Sequence, residues 1–280
     1  MYVDSDFSSP TVTHIIPKGQ QVYGVTSLGD DVFVVLRYSQ QKIGVYDANT
    51  FTLQRYIAVP GLGDFPLGLA ACPHNNCLYA SDSDDNIHRV DLSGSNALMK
   101  WSVASVPRGL SVNSEHNLLV VSGGKRKLQI FTTHGILLQD IQLQVNMEHP
   151  FHAVQLSTGQ FLVSHSVSLE CVCLVGVDGA VVRSYGREKG SQLTQMHHPT
   201  GLVVDRKGRV LVADCWNNRL LVIDQSLSSA HEMSVRVDEG LKRPFRLWYD
   251  QSRRRLYIGE LSGGRVIVID HLKDFAASQV

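Results

Sequence analysis

The chain has 280 residues, with 26 basic and 26 acidic side chains and therefore no net charge at neutral pH. Balanced charge excludes a protein that coats nucleic acid through bulk positive charge, although it leaves room for a local basic face. No apolar run of the sequence approaches the ~20 residues that a membrane-spanning helix needs, and the acidic start does not resemble a signal peptide, so we expect a cytoplasmic protein.

A pattern that opens with Pro-x-Gly recurs along almost the whole chain. Its third residue recurs at intervals of 41 to 49 residues, at Gly24, Gly68, Gly109, His152, Gly201 and Arg246. Proline stands two residues earlier in every unit except the first. A repeat of this length with three or four short strands has the size of one propeller blade.

The strands of each unit are short and nearly continuously apolar. In the fifth unit they occupy residues 202–205, 210–213 and 220–223. Such runs indicate strands buried on both faces, as in a blade sandwiched between two others. We therefore predict an all-β, six-bladed propeller that forms a single domain over residues 1–280. The predicted blades are residues 20–60, 65–104, 106–144, 149–186, 198–235 and 243–270.

The sixth unit needs a strand from elsewhere to match the others. It supplies three strands, whereas an additional apolar strand at residues 11–16 precedes the first unit. Pairing residues 11–16 with residues 266–269 would complete the last blade and remove an open sheet edge. We therefore predict that the N-terminal strand closes the propeller.

The fifth unit carries the most complete copy of the pattern: Pro199-Thr-Gly201, Asp205, Gly208, Ala213-Asp214 and Asn217-Asn218-Arg219. Arg219 is expected to reach back to Asp214 and pin the hairpin. This unit resembles an NHL repeat, and the fit is fair in the second, third and sixth units and poor in the first and fourth. NHL domains are six-bladed propellers, often found at the C-terminus of tripartite-motif (TRIM) proteins, where they bind RNA or protein. The sequence has no RING or B-box zinc pattern.

The five cysteines follow no zinc-binding spacing, and their odd number predicts reduced thiols. Cys72 and Cys77 flank a turn and are expected to face each other across a hairpin. Cys171 and Cys173 lie two residues apart on one strand face. Cys215, which lies in a turn, is the cysteine that we expect to be exposed.

The candidate binding residues lie in loops that the propeller fold brings to one face. The loops that begin with Pro-x-Gly and the turns between second and third strands emerge together there; we call this end of the propeller the top face. Cations on it would attract phosphate, and aromatic rings would stack unpaired bases or fill pockets in a protein. The candidates are Tyr23, Arg37, Tyr38, Arg108, Lys125, Arg126, Lys127, Phe151, His152, Trp216, Phe245 and Arg246.

Several of these residues also suit purely structural roles. The triplet Lys125, Arg126, Lys127 follows two glycines and suits a solvated turn as well as a phosphate contact. Trp216 suits either ligand binding or the covering of a neighbouring loop. Phe151 and Phe245 suit packing between blades. Because acidic residues interrupt the rim in the second unit, we expect the basic zone to form a crescent over units three, one and six.

A metal-dependent enzyme is the least favoured interpretation. Some six-bladed propellers are lyases or hydrolases with a metal in the channel, and zinc catalysis needs three convergent protein ligands. The clustered histidines come from only two adjacent units, and cations occupy corresponding positions in two others. We therefore expect no catalytic residues, no metal and no cofactor. The histidines concerned are His149, His152, His165, His197 and His198.

Two recognition functions remain. The first hypothesis is that the top face binds single-stranded RNA without catalysis. The alternative is a protein or peptide partner, as in the substrate-recruitment platform of a TRIM-NHL-like ubiquitin ligase. We expect no membrane partner and no small-molecule cofactor. Because a closed propeller needs no second subunit to complete its fold, we expect a monomeric domain.

Overall fold

The computed structural model describes residues 10–29, 32–93, 97–167, 170–186 and 188–272. These residues form six four-stranded antiparallel sheets arranged as the blades of a propeller. The expected all-β six-bladed propeller is therefore confirmed. The innermost strand of each blade contacts the innermost strand of the next, and contact between the first and last of them closes the ring.

The strands follow one another in chain order from the innermost to the outermost within each blade. The strand that precedes the first blade is β1 (Val12–Ile16). Blade 1 contains β2 (Val22–Ser27), β3 (Val32–Arg37), β4 (Lys42–Asp47) and β5 (Leu53–Ala58). Blade 2 contains β6 (Pro66–Cys72), β7 (Cys77–Asp82), β8 (Asn86–Asp91) and β9 (Leu98–Ser102). Blade 3 contains β10 (Pro107–Val112), β11 (Leu118–Ser122), β12 (Lys127–Phe131) and β13 (Leu137–Gln142).

The second half of the ring repeats this arrangement. Blade 4 contains β14 (His149–Gln155), β15 (Phe161–Ser166), β16 (Cys171–Val175) and β17 (Val181–Gly186). Blade 5 contains β18 (Pro199–Val204), β19 (Val210–Asp214), β20 (Arg219–Ile223) and β21 (Ala230–Met233), with a turn of 3-10 helix at Cys215–Asn217. Blade 6 contains β22 (Pro244–Asp250), β23 (Arg255–Glu260) and β24 (Val266–Ile269).

The N-terminal strand completes blade 6, as the sequence predicts. Strand β1 pairs antiparallel with β24, so the sheet runs β1-β24-β23-β22. Ile16 lies opposite Val266 and is 4% exposed, whereas the neighbouring Ile15 is 38% exposed. Residues from the two ends of the described chain thus share one sheet, which removes the edge that β24 would otherwise present.

The hydrophobic core is divided among the interfaces between adjacent blades. Strand β19 shows how: Val210 and Val212 pack into the cluster shared with blade 4, while Leu211 and Ala213 pack into the cluster shared with blade 6. Alternate side chains of one strand therefore enter two different cores. This arrangement explains the nearly continuous apolar runs, because both faces of a central strand are buried.

All five cysteines are free thiols, and every one of them is buried. Cys72 and Cys77 lie directly opposite each other in the hairpin of blade 2, as expected. The prediction that Cys215 is exposed is wrong. Its backbone lies in the 3-10 turn, but its side chain is fully covered, and burial raises the pKa of this thiol to about 12.

The described part of the chain contains no helix long and apolar enough to cross a membrane.

Closure of blade 6 predicts unequal effects for two neighbouring isoleucines. Ile16→Ala removes a side chain buried between blades 6 and 1, and we expect a loss of about 2–4 kcal/mol of unfolding free energy. The matched control Ile15→Ala alters an exposed face of the same strand and should cost no more than about 0.5 kcal/mol. Urea denaturation of both variants measures the difference. Equal costs would show that β1 does not hold the ring closed.

Candidate ligand-binding face

The top face of the propeller is formed where the six innermost strands begin. The middle residue of each Pro-x-Gly position lies next to the channel mouth, one residue from each blade. These residues differ strongly in size and chemistry, so the mouth is not a symmetric ring. In blade order they are Tyr23, Leu67, Arg108, Phe151, Thr200 and Phe245.

The glycine that follows sets how closely adjacent innermost strands approach. A Cβ atom added at Gly109 would lie 2.3 Å from the carbonyl oxygen of Phe151, and one added at Gly201 would lie 2.7 Å from that of Phe245. Both distances are too short for any side chain. The two blades that receive these contacts carry His152 and Arg246 at the equivalent position. The glycine in one blade therefore makes room for the large polar residue in the next.

A continuous series of aromatic and histidine rings crosses the top face. Successive ring centroids lie between 4.7 and 6.2 Å apart, the range in which rings pack edge-to-face or offset. We call this series the aromatic path. In order, its members are Phe65, Tyr38, Tyr23, Phe245, Phe151, His198, Trp216 and His197.

All five aromatic residues named among the candidates belong to this path, but they are not equally accessible. Trp216 is 49% exposed, and Tyr38, Tyr23 and Phe151 are partly exposed. Phe245 is 5% exposed and supports Tyr23 and Phe151 from below, so its role is packing. The path therefore offers a ligand rings on both sides of a buried centre.

Sequence reasoning missed four residues of this face. Phe65 is 53% exposed and lies at one end of the path, while His197 and His198 flank Trp216 near the other. The guanidinium carbon of Arg243 lies 5.5 Å from the centre of the Trp216 ring. All four precede an innermost strand by one or two residues, just before the proline that opens the Pro-x-Gly pattern.

The predicted cations of blade 3 differ in their exposure and in the groups that they contact. Arg108 is half-buried, and its guanidinium lies over the Phe151 ring at 5.0 Å. Lys125 is exposed. Arg126 donates to the carbonyl oxygen of Val145 at 3.0 Å.

Lys127 forms a short ion pair with Asp140, at 2.5 Å. Arg108 connects this turn with the aromatic path, because a Cβ added at Gly123 would lie 2.5 Å from Arg108 Nε. Among the triplet, Lys125 is therefore the residue best placed to meet a ligand.

Two of the predicted binding arginines lie below the surface. Arg37 is 9% exposed, and its Nη1 donates to the carbonyl oxygens of Gln20 at 2.8 Å and Gly264 at 2.7 Å. Arg246 is 7% exposed and lies across the channel. These guanidinium groups bind main-chain carbonyls, most of them in other blades. Of the remaining predicted cations, Lys125 is exposed and Arg108, Arg126 and Lys127 are partly exposed, and Arg243 adds a further exposed cation.

Arg246 joins three blades besides its own. Its Nε donates to the carbonyl oxygen of Tyr23 at 3.0 Å, and its Nη2 donates to that of Arg108 at 2.6 Å and also to that of Leu67. Innermost strands present unpaired carbonyls to the channel, and buried carbonyls need donors. Arg246 supplies those donors to blades 1, 2 and 3 at once.

Two histidines near the channel are held neutral. His152 lines the channel, where burial and, to a smaller extent, the charge of Arg246 lower its pKa to about 4. Its Nδ1 accepts from the Leu202 amide at 3.4 Å, and its Nε2 lies 3.3 Å from the Leu110 carbonyl oxygen. Burial, followed by the charge of Arg108, lowers the pKa of His198 to about 4 as well. His198 is thus an uncharged ring within the aromatic path at neutral pH.

The expected pairing of Arg219 with Asp214 is present, and it positions one end of the path. Arg219 Nε donates to Asp214 Oδ2 at 2.7 Å, and the other carboxylate oxygen accepts from the His197 amide at 2.7 Å. The Trp216 amide then donates to the carbonyl oxygen of His197 at 3.0 Å. Arg219 also donates to the carbonyl of Gln192 in the connection between blades 4 and 5. One buried ion pair thereby fixes two rings of the binding face.

Within the residues that the structure describes, no group of three or more His, Cys, Asp or Glu side chains is arranged to hold a metal ion. The histidines considered for such a site are separated. His152 lies in the channel, His197 and His198 lie on the top face, and His165 is buried within blade 4.

Comparison with known proteins agrees with the repeat pattern. Residues 196–223 match the NHL repeat family, and this segment contains the first three strands of the fifth unit. The chain is 27% identical over 135 residues to Protein brain tumor from Drosophila melanogaster, a match that covers 45% of this chain and 12% of that protein. The chain is thus a six-bladed propeller with an NHL repeat in its fifth blade, similar to the NHL domain of TRIM-NHL proteins, and it spans only a small part of the relative that it matches.

Solved structures confirm the architecture. A structural-genomics protein from Bacteroides thetaiotaomicron superposes with a TM-score of 0.71 at 15% identity, over 93% of this chain and 73% of that one. Streptogramin B lyase gives 0.67 at 11% identity, over 94% and 97%, and the WD40 propeller domain of Doa1 gives 0.66 at 11%, over 97% and 100%. At this level of identity the likeness shows the fold alone.

The Asp214–Arg219 pair predicts a large stability effect from a single substitution. Arg219→Ala leaves a fully buried carboxylate without its cation, and we expect a loss of about 3–5 kcal/mol in unfolding free energy. Arg183→Ala is the control, because Arg183 is exposed and donates to one carbonyl, so its loss should stay within about 0.5 kcal/mol. Chemical denaturation followed by tryptophan fluorescence measures both. Similar costs for the two variants would contradict the role given to Arg219.

The lowered pKa of His152 predicts a defined loss of stability in acid. Between pH 6.5 and about 4 this histidine takes up a proton in the unfolded chain but not in the folded one. Its contribution is therefore complete above pH 6.5 and is lost as the pH falls toward 4. At ~1.4 kcal/mol per pKa unit, the wild type should lose up to about 3 kcal/mol more than His152→Gln over this window. Urea titrations at several pH values test this, and parallel curves for both proteins would refute it.

Proposed function

We propose that the top face of this NHL-repeat propeller binds single-stranded RNA along the aromatic path, without catalysis. The observation that carries this proposal is the series of rings from Phe65 to His197, in which each ring touches the next. A single strand presents a succession of flat bases, and a succession of rings is the matching surface. The coarser function, a recognition module for RNA or protein, follows from the NHL-type fold and the relative described above.

The exposed rings provide the stacking positions. Phe65 and Trp216 present about half of their surface, and Tyr38 and Phe151 present less. Stacking contributes ~1–3 kcal/mol for each base, and it does not depend strongly on base identity. Because His198 is neutral, its ring adds a stacking surface without adding charge. Affinity on this face would thus come largely from rings.

The exposed cations supply the contacts to phosphate. Arg108 and Arg243 each lie over a ring of the path, so a base stacked on that ring brings its phosphate close to a guanidinium. Lys125 extends the positive zone over blade 3. For three phosphate contacts the slope of ~0.7 per contact predicts a loss of affinity of roughly 20-fold between about 50 and 200 mM salt.

A protein partner is the second candidate function. The observation that favours it is the exposure of Phe65 and Trp216, since exposed aromatic residues are frequent anchors in protein interfaces. Such binding would depend little on salt, because desolvated rings rather than ionic contacts would hold the partner. Salt dependence therefore separates the two functions.

RNA binding should respond to substitutions on the top face and not to matched changes elsewhere. We expect Trp216→Ala to weaken binding of a random single-stranded RNA pool roughly tenfold through lost stacking. Arg108→Glu should weaken it roughly tenfold or more through a lost phosphate contact. Fluorescence anisotropy at low and moderate salt measures both effects.

The controls are chosen for equal chemistry at other places. Tyr56→Ala removes a ring that is 48% exposed on the outer strand of blade 1, and Arg254→Glu makes the same charge reversal in a turn at the opposite end of the propeller. Both should bind as the wild type does. No RNA binding at low salt would refute the RNA function and leave a protein partner as the candidate. Equal losses in variants and controls would show that RNA binds elsewhere.

A further inference from the structure

A cavity occupies the central channel below the top face. It has a volume of about 770 Å³, within the range of sites that hold small organic ligands. The walls are the innermost strands, and the opposite rim consists of turns such as 157–160 and 206–208. Much of the wall is apolar, including Leu69, Leu110, Val112, Leu202 and Leu247.

Arg246 lines this cavity as a buried cation without a counter-ion. Its hydrogen-bond acceptors are the three main-chain carbonyls already described, and no carboxylate pairs with it in the described part of the chain. Burial lowers the pKa of its guanidinium to about 10, which still leaves it charged at neutral pH. A buried charge that is paired only with neutral dipoles is costly, and an anion beside it would offset that cost.

Three residues that line the cavity each carry a buried hydrogen-bond group for which the described residues supply no partner. These groups are Arg246 Nη1, Trp248 Nε1 and Thr26 Oγ1. A guanidinium nitrogen and an indole nitrogen can only donate, and a hydroxyl can donate as well. All three belong to the innermost strands of the adjacent blades 6 and 1. Because an unpaired buried donor is destabilising, a ligand that supplies an acceptor to these groups would be stabilised.

The rim of the cavity also favours a negative ligand. Arg206 and Lys207 lie in the turn of blade 5 that lines the opening. The carboxylate of Asp205, the acidic residue of that turn, accepts hydrogen bonds from Arg209 Nε at 2.9 Å and from the Lys207 amide at 2.9 Å. Its negative charge is therefore offset by Arg209. Cations at the opening raise the local concentration of anions.

We propose that the channel cavity binds a small organic carboxylate, whose carboxylate group accepts hydrogen bonds from Arg246 Nη1 and from Trp248 or Thr26. The single positive charge at the inner end matches one carboxylate, and the apolar walls match a hydrocarbon or aromatic body. The cavity lining contains no ring of the aromatic path, so the two sites are distinct, although Arg246 contacts both.

The test uses 2-naphthoate as the probe and 2-naphthalenemethanol as its uncharged analogue. Each compound is titrated into the full 280-residue protein by calorimetry. We expect one saturable site for naphthoate and binding of the alcohol weaker by roughly tenfold or more, because hydrogen bonds to a charged group are stronger than those between neutral groups. Equal affinity for the two compounds would show that the channel binds apolar compounds regardless of their charge, and it would contradict the proposal. No heat of binding at millimolar naphthoate would also overturn the proposal.

Variants locate the site. Thr26→Val keeps the shape of the side chain but removes a donor, and it should weaken naphthoate binding roughly fivefold while leaving the fold intact. Trp248→Phe removes the indole donor in the same way. Arg246→Met should abolish binding, but it also breaks three contacts between blades, so the two milder variants decide the outcome. If both bind naphthoate as the wild type does, the carboxylate lies elsewhere. Arg55→Glu, a charge reversal at an exposed position on the outermost strand of blade 1, is the control, and it should leave naphthoate affinity unchanged.

Discussion

The structure depends on how closely the six innermost strands approach one another around the channel. At blades 1, 3 and 5 this approach requires glycine after the top-face residue, and a Cβ at Gly24, for example, would lie 2.2 Å from the Cβ of Leu69. Blade 2 has Gly68 at this position, where an added Cβ would lie 3.0 Å from Ser81 Oγ. The channel consequently has little room for side chains at its upper end. His152 and Arg246 occupy the two remaining positions; burial lowers the pKa of both side chains, and both contact main-chain carbonyl oxygens.

A second set of buried polar contacts fixes the connections between blades, and these connections carry much of the binding face. Asp214 with Arg219 holds the segment before blade 5, and Glu260 with Arg265 holds the segment before blade 6 through the carbonyls of residues 238 and 240. Asp82 bonds to His88 at 2.7 Å in blade 2 and also accepts from the amide of residue 63. Because each acid is fully buried, its partner is needed for stability. The connections are therefore rigid, and rings carried by them are held ready for a ligand.

The sequence predicted the fold almost completely, since repeat length, strand patterning and the unpaired strand at residues 11–16 are all local features. It also predicted which loops share the top face, and five of its aromatic candidates do lie together. It failed for Arg37 and Arg246, whose acceptors come from other blades; the carbonyls bound by Arg246 are 138 to 223 residues away in sequence. Phe65, His198 and Arg243 were missed because they stand directly before the proline of the Pro-x-Gly pattern, at a position where the repeat prescribes no residue type. Long-range contacts and irregular segments are the features that periodicity cannot show.

Arg246 links the two ends of the channel. Above it, the Phe245 ring lies 4.6 Å from its guanidinium, and the carbonyls that it holds belong to Tyr23 and Arg108, whose side chains form part of the top face. Below it, the same group lines the cavity. One guanidinium therefore contacts both the aromatic path and the channel cavity. A neutral residue of equal size would fill the same space but would leave the innermost carbonyls of three blades without donors, so the positive charge in the channel is a consequence of how the ring is held together.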